Sequence, residues 1–499
     1  MGFYLGLDVG QTVTKAVVFD EEFREVGAGS AQSPTSSPQP RFVERSQEAL
    51  WSAASDAIAE AVKQSAIRTR DIRGVGVAGH GDGLHLVDSN GEPIGQAVMA
   101  VDSRAWSEMD AILNNPSRAD LILERSGQVP FLGSTGVIME WFHHNHPDLL
   151  ESADSLLFCK DVIRNRLTGS VGTDFSDASA SFLDVRNSAW SSAVLAAYGL
   201  GGYADMLPAL SHSADVVGGV SGAGAIATGL HESTPVVAGC HDVHAVALGM
   251  GSLAEGTLTL IAGSFSINAV TTTSTATDPR WQSRVSLTPG LRMAMSTSAT
   301  SSTALEWLLA SLGVATAEER DRLFAKAGAL DVTEDMPIFL PYVFASPFGQ
   351  TPSGTFLGLR SWHTPAHLLR AGLEGLVWMH LWHTDALADQ FEWSAPIRIG
   401  GGISRSAVYS QLVADAMGMP VETVTTNETG ALGAAALAAT GTGHLSSPSD
   451  LSDHVRVARQ FEPTATGVSY WQERKSLLYQ AHQSLAEVWS NLPSRDVRR

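Results

Sequence analysis

Short apolar runs separated by glycine-rich or polar turns recur along the chain, and their period alternates between strand-like and helical. Phe3–Val9 is apolar with a strand pattern, Gly10-Gln11-Thr12 reads as a tight turn, and residues 14–20 form a second, β-branched strand. Residues 31–40, rich in Ser, Pro and Gln, predict an exposed loop. Helical spacing covers 47–64, and strands are expected over 75–77 and 84–88, the latter closing on the turn Ser89-Asn90-Gly91. From Asp102 to Leu200 the spacing is mainly helical, with breaks at Pro147 and across 169–174. Residues 235–240 read as a short buried strand that runs into His241-Asp242, with a small-residue helix over 245–251.

A second round follows. Residues 258–263 predict a strand, 264–266 a turn and 267–271 a strand. A helix is expected over 304–312 with Trp307 and Leu308 on its apolar side, and residues 338–343 lead into a Pro/Gly loop. A long helix is expected over 364–390, a strand over 397–399 that runs into Gly400-Gly401-Gly402, and a helix over 408–417. The Gly/Ala-rich stretch 430–439 predicts a close-packed helix, and from Arg456 onward the chain reads as a polar, Trp- and Tyr-bearing helix or tail. Strand, glycine turn, strand thus opens each half, at a spacing of roughly 250 residues, and a pair of similar α/β lobes with a cleft between them is the simplest architecture that uses it.

Length agrees with that picture: 499 residues exceed what a single core normally holds. Charge narrows the partners. Asp and Glu outnumber Lys and Arg by 52 to 32, a formal charge of −20, and five of the basic residues are Lys. Such a chain lacks the basic footprint needed to wrap nucleic acid or an anionic membrane, so neither is an expected partner. An anionic substrate would have to be held by backbone amides, a metal or a placed cation. Cys159 and Cys240 cannot build a disulfide scaffold or a cysteine-rich metal site, and their number suits a reducing, cytoplasmic location. The first fifteen residues carry no basic leader, and no uncharged apolar run reaches about 18 residues, so neither a signal peptide nor a membrane span is expected.

Three segments carry candidate chemistry. In Leu7-Asp8-Val9-Gly10-Gln11-Thr12-Val13-Thr14-Lys15 a carboxylate at a strand end precedes a turn of small residues. Glycine lets a backbone approach a phosphate, turn amides and hydroxyls can donate to it, and Asp8 can hold Mg²⁺; a plain hairpin with polar tips is the other reading. In Gly239-Cys240-His241-Asp242-Val243-His244 an Asp leaves a buried strand just before a helix, where it can take a proton from a hydroxyl or simply cap the helix. His241 and His244 invite a zinc reading, but no third ligand is near in sequence. In Gly400-Gly401-Gly402-Ile403-Ser404-Arg405-Ser406 consecutive glycines leave room for a flat ring or a ribose against the backbone, or serve only as a permissive helix entry. Two decoys are set aside. Gly74-Val75-Gly76-Val77-Ala78-Gly79 fits G-x-G-x-x-G, yet its glycines sit inside a strand rather than between a strand and a helix. His143-His144-Asn145-His146 sits where a helix ends before Pro147, which suits a solvated terminus.

Taken in order from Tyr4 to Ala439, these segments resemble the FGGY carbohydrate kinases of the sugar kinase/Hsp70/actin superfamily. Asp8-Val9-Gly10-Gln11-Thr12 resembles the family's first phosphate hairpin and Asp102-Ser103-Arg104 its sugar-contact segment. Lys160-Asp161, Leu167-Thr168-Gly169 and Thr173-Asp174-Phe175-Ser176-Asp177-Ala178-Ser179 resemble a long family stretch, and Thr228-Gly229-Leu230, Pro235-Val236 and His241-Asp242 follow as in the family. Gly263-Ser264 resembles the second phosphate hairpin, and Gly401-Gly402 with Ala431-Leu432-Gly433-Ala434-Ala435 the adenosine segment. Gln11 and Ser264 stand where the family usually has Thr, and both keep hydrogen-bonding groups.

The resemblance implies an α/β chain of two ribonuclease H-like (actin-like ATPase) domains with an interdomain cleft that closes to exclude water: 1–246 with the sugar site and catalytic Asp, 247–445 with the ATP site, and 446–499 as a helical segment packed on both. It implies transfer of phosphate from ATP, with Mg²⁺, to a terminal hydroxyl of a small sugar or polyol. Asp242 would be the base and Asp8 with Asp242 the metal ligands. Gly10, Gln11, Thr12, Lys15, Gly263, Ser264, Gly401, Gly402, Arg405 and Ser406 would hold ATP. His80, Asp82, Asp102, Arg104 and His241 would hold the sugar. Asp82 stands where xylulose kinases of the commonest type carry His, which turns the resemblance from D-xylulose towards L-xylulose or polyols such as erythritol. A pentulose of the xylulose type is therefore the expected acceptor, an erythritol- or glycerol-type polyol the alternative, and a homodimer the assembly considered. A nucleotide-driven switch of the actin/Hsp70 kind, or a sugar sensor without kinase activity, is the reading from another class; the Asp-x-Arg and His-Asp segments argue against it.

Overall fold

The computed structural model describes residues 2–331, 335–344, 346–349 and 351–492. They form two compact units, neither continuous in sequence: Met1–Glu255, Thr271–Ala294 and Glu428–Val455 in the first, and Gly256–Val270, Met295–Asn427 and Arg456–Arg499 in the second. Contacts thus assign 271–294 and 428–455 to the first unit, a line of division different from sequence boundaries at 246 and 445.

The first unit is built on a sheet ordered Val216–Gly219, Pro235–Val237, Ile72–Gly79, Phe3–Val9, Val13–Asp20, Glu25–Gln32, with Cys240–His241 also pairing Ile72–Gly79. Phe3–Val9 and Val13–Asp20 form the expected antiparallel hairpin, with Asp8 opposite Lys15. Phe3–Val9 and Cys240–His241 run parallel to Ile72–Gly79, so Asp8 and Cys240 flank Ala78, and Val9 and His241 flank Gly79. Three carboxyl ends of parallel strands therefore finish side by side, where open α/β sheets place their ligands. The β-branched and leucine positions of these strands are buried against helix Gln47–Ser65 and its Leu50, Ala54 and Ile58. A second sheet, Glu44–Arg45, Pro93–Val98, Leu84–Val87 and Ser155–Leu157, is backed by helices between Trp106 and Asn145.

Helix Thr429–Gly441 is buried at every position from Gly430 to Ala439 and packs on Phe3–Val9, Ile72–Gly79 and helix Asp242–Gly249. The approach is close enough that a Cβ on Gly6 would lie 1.8 Å from the carbonyl oxygen of Ala431, and one on Gly76 1.9 Å from that of Ala434. Gly74 and Gly76 of the G-x-G-x-x-G decoy are thus seats for this helix, while Gly79 lies against Lys160, and all three sit inside a strand as expected.

The second unit repeats the opening. Thr257–Ala262 and Ser266–Thr272 form an antiparallel hairpin, Ser394–Gly400 runs parallel to Thr257–Ala262 with Gly400 opposite Ile261, and Val421–Val424 and Val457–Phe461 extend the sheet. Helices Ser302–Ser311, Pro365–Ala388 and Ala407–Met417 belong to this unit. After residue 456 the tail is a strand and then the helix Ala465–Asn491, tied down by Arg474, whose Nε donates to the fully buried Glu374 at 2.8 Å. The last seven residues of the expected C-terminal segment, 493–499, lie outside the described residues, as do Ala345 and Gln350 of the Pro/Gly loop.

Two local expectations are corrected, and one pair of strands was not anticipated. Glu25–Gln32 is a strand reaching into the segment read as loop; its Gly-Ala-Gly-Ser composition hides a β pattern because small residues let helix Gln47–Ser65 lie against it. Helix Ser302–Ser311 buries Ala304, Leu305, Leu308 and Leu309, and leaves Trp307 40% exposed, since position 307 falls off the face those four define. Strands Gln282–Val285 and Arg292–Ser298 occupy a polar stretch without alternation. Among the described residues, no helix is long and apolar enough to cross a membrane.

Candidate active site

Asp242 is the first residue of helix Asp242–Gly249 and immediately follows the strand Cys240–His241. Its Oδ1 accepts the Val243 backbone N–H at 2.6 Å and lies 3.0 Å from Nδ1 of His241. Nδ1 also lies 3.3 Å from the Val243 N–H, a contact that would require an unprotonated nitrogen. The shorter pair of contacts fits a protonated Nδ1 donating to the carboxylate, with the Val243 N–H committed to Asp242. Burial alone would raise the Asp242 pKa; the hydrogen bond and charge of His241 outweigh it and hold the carboxyl below its ordinary value. For His241 burial acts downward, and Asp242 and Asp177 outweigh it, so its pKa lies above the usual histidine value.

Asp8 behaves in the opposite way. It lies one residue before the end of its strand, against Gly430, and its pKa is pushed up to about 7, first by burial and then by the charge of Asp242. Two carboxylates in mutual repulsion offer hard oxygen ligands with uncompensated negative charge, a donor set that fits Mg²⁺, an ion that usually takes one or two carboxylates and keeps waters or phosphates for the rest. Among the described residues, no group of three or more His, Cys, Asp or Glu side chains is arranged to hold a metal, so the zinc reading of His241 and His244 has no support.

Beneath this pair lies a layer that sequence reasoning did not assign. The His241 N–H donates to Ser176 Oγ at 2.9 Å, and Ser176 Oγ donates to Asp174 Oδ2 at 2.7 Å. Lys160 Nζ, fully buried, lies within 3.1 Å of carboxylate oxygens of Asp161, Asp174 and Asp177. Burial would depress the Lys160 pKa; the three carboxylates more than offset it and raise it. Asp177 is pushed up to about 7, chiefly by burial and against the pull of Lys160. The runs Lys160-Asp161 and Asp174-Phe175-Ser176-Asp177 carried a resemblance to a family stretch, but no role for any of these residues.

His80 follows strand Ile72–Gly79 and senses both His241 and Asp242. Neither of its ring nitrogens has a hydrogen-bond partner, and burial first, then Arg45, lower its pKa to about 4, so it is a neutral ring. Asp82 sits between Gly81 and Gly83 with a left-handed φ of 59° and an unpartnered Oδ1. Asp102 and Arg104 are brought to one another instead. Arg104 donates to Oδ1 and Oδ2 of Asp102 at 3.0 and 2.8 Å and to Glu44 at 2.7 Å, and its guanidinium lies 3.9 Å above the Phe42 ring. Asp102 also accepts the backbone N–H of Val43 and of Arg104.

In the first hairpin the Gly10 N–H donates to the Val13 carbonyl at 3.1 Å, the Gln11 carbonyl accepts from Arg45, and Lys15 pairs with Glu428 at 2.8 Å. The second unit holds the remaining predicted residues. The Gly263 N–H bonds the Phe265 carbonyl at 3.2 Å, and Ser264 is exposed at the hairpin tip. Gly401 has φ 93°, and a Cβ there would lie 2.5 Å from the Ala262 backbone, so only glycine fits between the two strands' ends. Gly402, Arg405 and Ser406 line a cavity of 620 Å³ together with Glu306, Arg320 and Phe324. That volume is in the range of small-molecule sites.

Two family models cover the chain: the N-terminal domain of the FGGY family of carbohydrate kinases matches residues 3–249, and its C-terminal domain matches residues 258–442. The chain belongs to the FGGY family of carbohydrate kinases. Among its relatives, the L-xylulose/3-keto-L-gulonate kinase of Escherichia coli K12 is 30% identical over 99% of this chain and 98% of its own length. The xylulose kinase of the same organism is 27% identical over 97% and 99%. The crystal structure of xylulose kinase from Rhodospirillum rubrum superposes with a TM-score of 0.88 at 25% identity, covering 98% of this chain and 100% of that one. The fold is accordingly the two-domain, actin-like ATPase fold expected from the sequence, and this FGGY kinase is a phosphotransferase acting on a sugar.

Proposed function

We propose that this FGGY kinase transfers the terminal phosphate of ATP to a terminal hydroxyl of a xylulose-type pentulose, with L-xylulose as the first candidate. The observation that carries this reading is Asp242: an ionised carboxylate at the carboxyl ends of parallel strands, held by His241 Nδ1 at 3.0 Å and coupled by charge to a second carboxylate, Asp8. Asp242 accepts the proton of the attacking hydroxyl, and its lowered pKa keeps it in the accepting form at neutral pH. Asp8 and Asp242 would hold Mg²⁺, which when bound neutralises phosphate charge. Gly10 and Gly263, their N–H groups closing the two turns, shape hairpin tips whose remaining amides at Gln11, Thr12 and Ser264 donate to phosphate oxygens, with Lys15 joining them on leaving Glu428; Gly401, Gly402, Arg405 and Ser406 seat the nucleoside against the 620 Å³ cavity. The sequence domain 1–246 then supplies Asp242 and most acceptor contacts, 247–445 supplies most nucleotide contacts, and 446–499 packing.

Neutral His80 and the open oxygen of Asp82 suit substrate hydroxyls. Asp102 and Arg104, saturating one another, shape the site around them. A coupled ADP-release assay across pentuloses, hexuloses and C3–C5 polyols tests the reading, with turnover expected only when a sugar or polyol is present. Asp242→Asn is expected to lower kcat by about 10²–10⁴-fold with the fold intact. ATP turnover indifferent to every acceptor would return the chain to the nucleotide-switch reading.

A further inference from the structure

One polar group in the first unit stands outside every role assigned so far. Arg284, on strand Gln282–Val285, is 1% exposed. Its Nη2 donates to Oε1 of Gln282 at 2.9 Å and lies 3.7 Å from Oδ2 of Asp82, too far for a hydrogen bond. Its Nε and Nη1 have no partner, and neither has Oδ1 of Asp82. Asp177, Tyr198, His241 and His244 are the other titratable groups that feel its charge, so it lies within reach of the side chains that support Asp242. An arginine cannot shed its proton, and a buried guanidinium with open donors beside a carboxylate with an open acceptor is costly until a ligand completes both. The left-handed backbone at Asp82 is a further strained element of the kind that clusters at ligand sites.

We propose that Arg284 is a specificity-determining residue of the acceptor site: with Asp82 it forms a donor–acceptor pair that reads a neighbouring hydroxyl and carbonyl, the α-hydroxyketone of a ketose, away from the hydroxyl held by Asp242. The guanidinium only donates, and a carbonyl oxygen only accepts, so that match gives partners to up to two of its open N–H groups; the sugar hydroxyl donates to Oδ1 of Asp82. A carboxylate in the carbonyl's place would set a second negative charge against Asp82 and Asp177, so a ketose is preferred over a keto acid. The inference rests on the sugar-kinase reading and names its substrate class.

The test compares kcat/KM of the full chain for a pentulose, the matching pentitol and a keto-aldonate. Arg284→Gln is expected to lower kcat/KM for the pentulose on the order of 10²-fold while changing that for the pentitol far less, and to leave KM for ATP unchanged; Arg284→Lys should recover part of the loss. An equal fall for ketose and polyol, or a wild-type preference for the keto acid, overturns the role of Arg284. Should Arg284→Gln fail to fold by thermal denaturation, the wild-type protein is tested with the 1-deoxypentulose. A loss of kcat/KM on the order of 10²-fold upholds the pair, and retention within about threefold overturns it. A wild-type protein inert towards every sugar and polyol would instead defeat the kinase reading, and the role of Arg284 with it.

Discussion

Asp8 and Asp242 are the same chemical group at neighbouring strand ends, and their surroundings drive them apart. Asp242 has the His241 imidazole and a backbone N–H to stabilise its charge, whereas Asp8 faces burial and a like charge. His241 is therefore a positioning residue for Asp242. Removing it takes away the largest opposition to burial and leaves only His80 and the Val243 N–H, so the Asp242 pKa rises. His241→Gln is expected to move the acid limb of the kcat/KM profile to higher pH, measured at saturating Mg²⁺ between about pH 5 and 8. An unmoved acid limb with lower kcat would assign His241 to shape alone. At this scale Asp8 and Asp242 were legible, because a carboxylate that closes an apolar run before small residues is visible in one dimension. Arg284 was not: a single arginine in a polar stretch gives no sign that folding will bury it beside Asp82.

Helix Thr429–Gly441 shows how an element far along the chain builds a site near its beginning. It carries Gly430 to Asp8, and its Gly433 lies against the Ala245 carbonyl of the helix that begins with Asp242. Such contact requires strands without side chains beneath it. Gly76→Val would drive a branched side chain into the Ala434 backbone, and is expected to destabilise the protein by about 3 kcal/mol or more, read as a lower urea midpoint at unchanged m-value. The Gly/Ala composition of 430–439 foretold close packing, and the glycines of 74–79 foretold strand rather than dinucleotide loop. What the helix packs on could not be read, because the contact joins residues some 350 positions apart.

The whole molecule carries a formal charge of −20, and its phosphate donor is itself an anion. Long-range repulsion slows their encounter, and salt screens it within a Debye length of about 10 Å at 0.1 M. Raising ionic strength from about 10 to 150 mM at fixed free Mg²⁺ is expected to raise kcat/KM for ATP up to a few-fold. A steep fall would instead show that placed cations such as Lys15 and Arg405 dominate capture. Lys15 is already paired with Glu428, which reduces the positive charge it offers to an incoming anion.

Local chemistry and spacing determined much by themselves. Two strand–glycine–strand openings, the acidic strand ends at Asp8 and Asp242 and the consecutive glycines at 400–402 were enough for a pair of α/β lobes and a list of candidate residues, because each depends on near neighbours in the chain; family and reaction came from the order in which these segments resemble the FGGY kinases. The tertiary structure alone decided which polar groups meet. It turned Asp102 and Arg104 towards each other, laid Lys160 and three aspartates beneath His241, exposed Trp307, and brought Arg284 to Asp82. The reason is physical: an ionisable side chain takes its state from burial and from partners a few ångströms away, and only packing sets those distances.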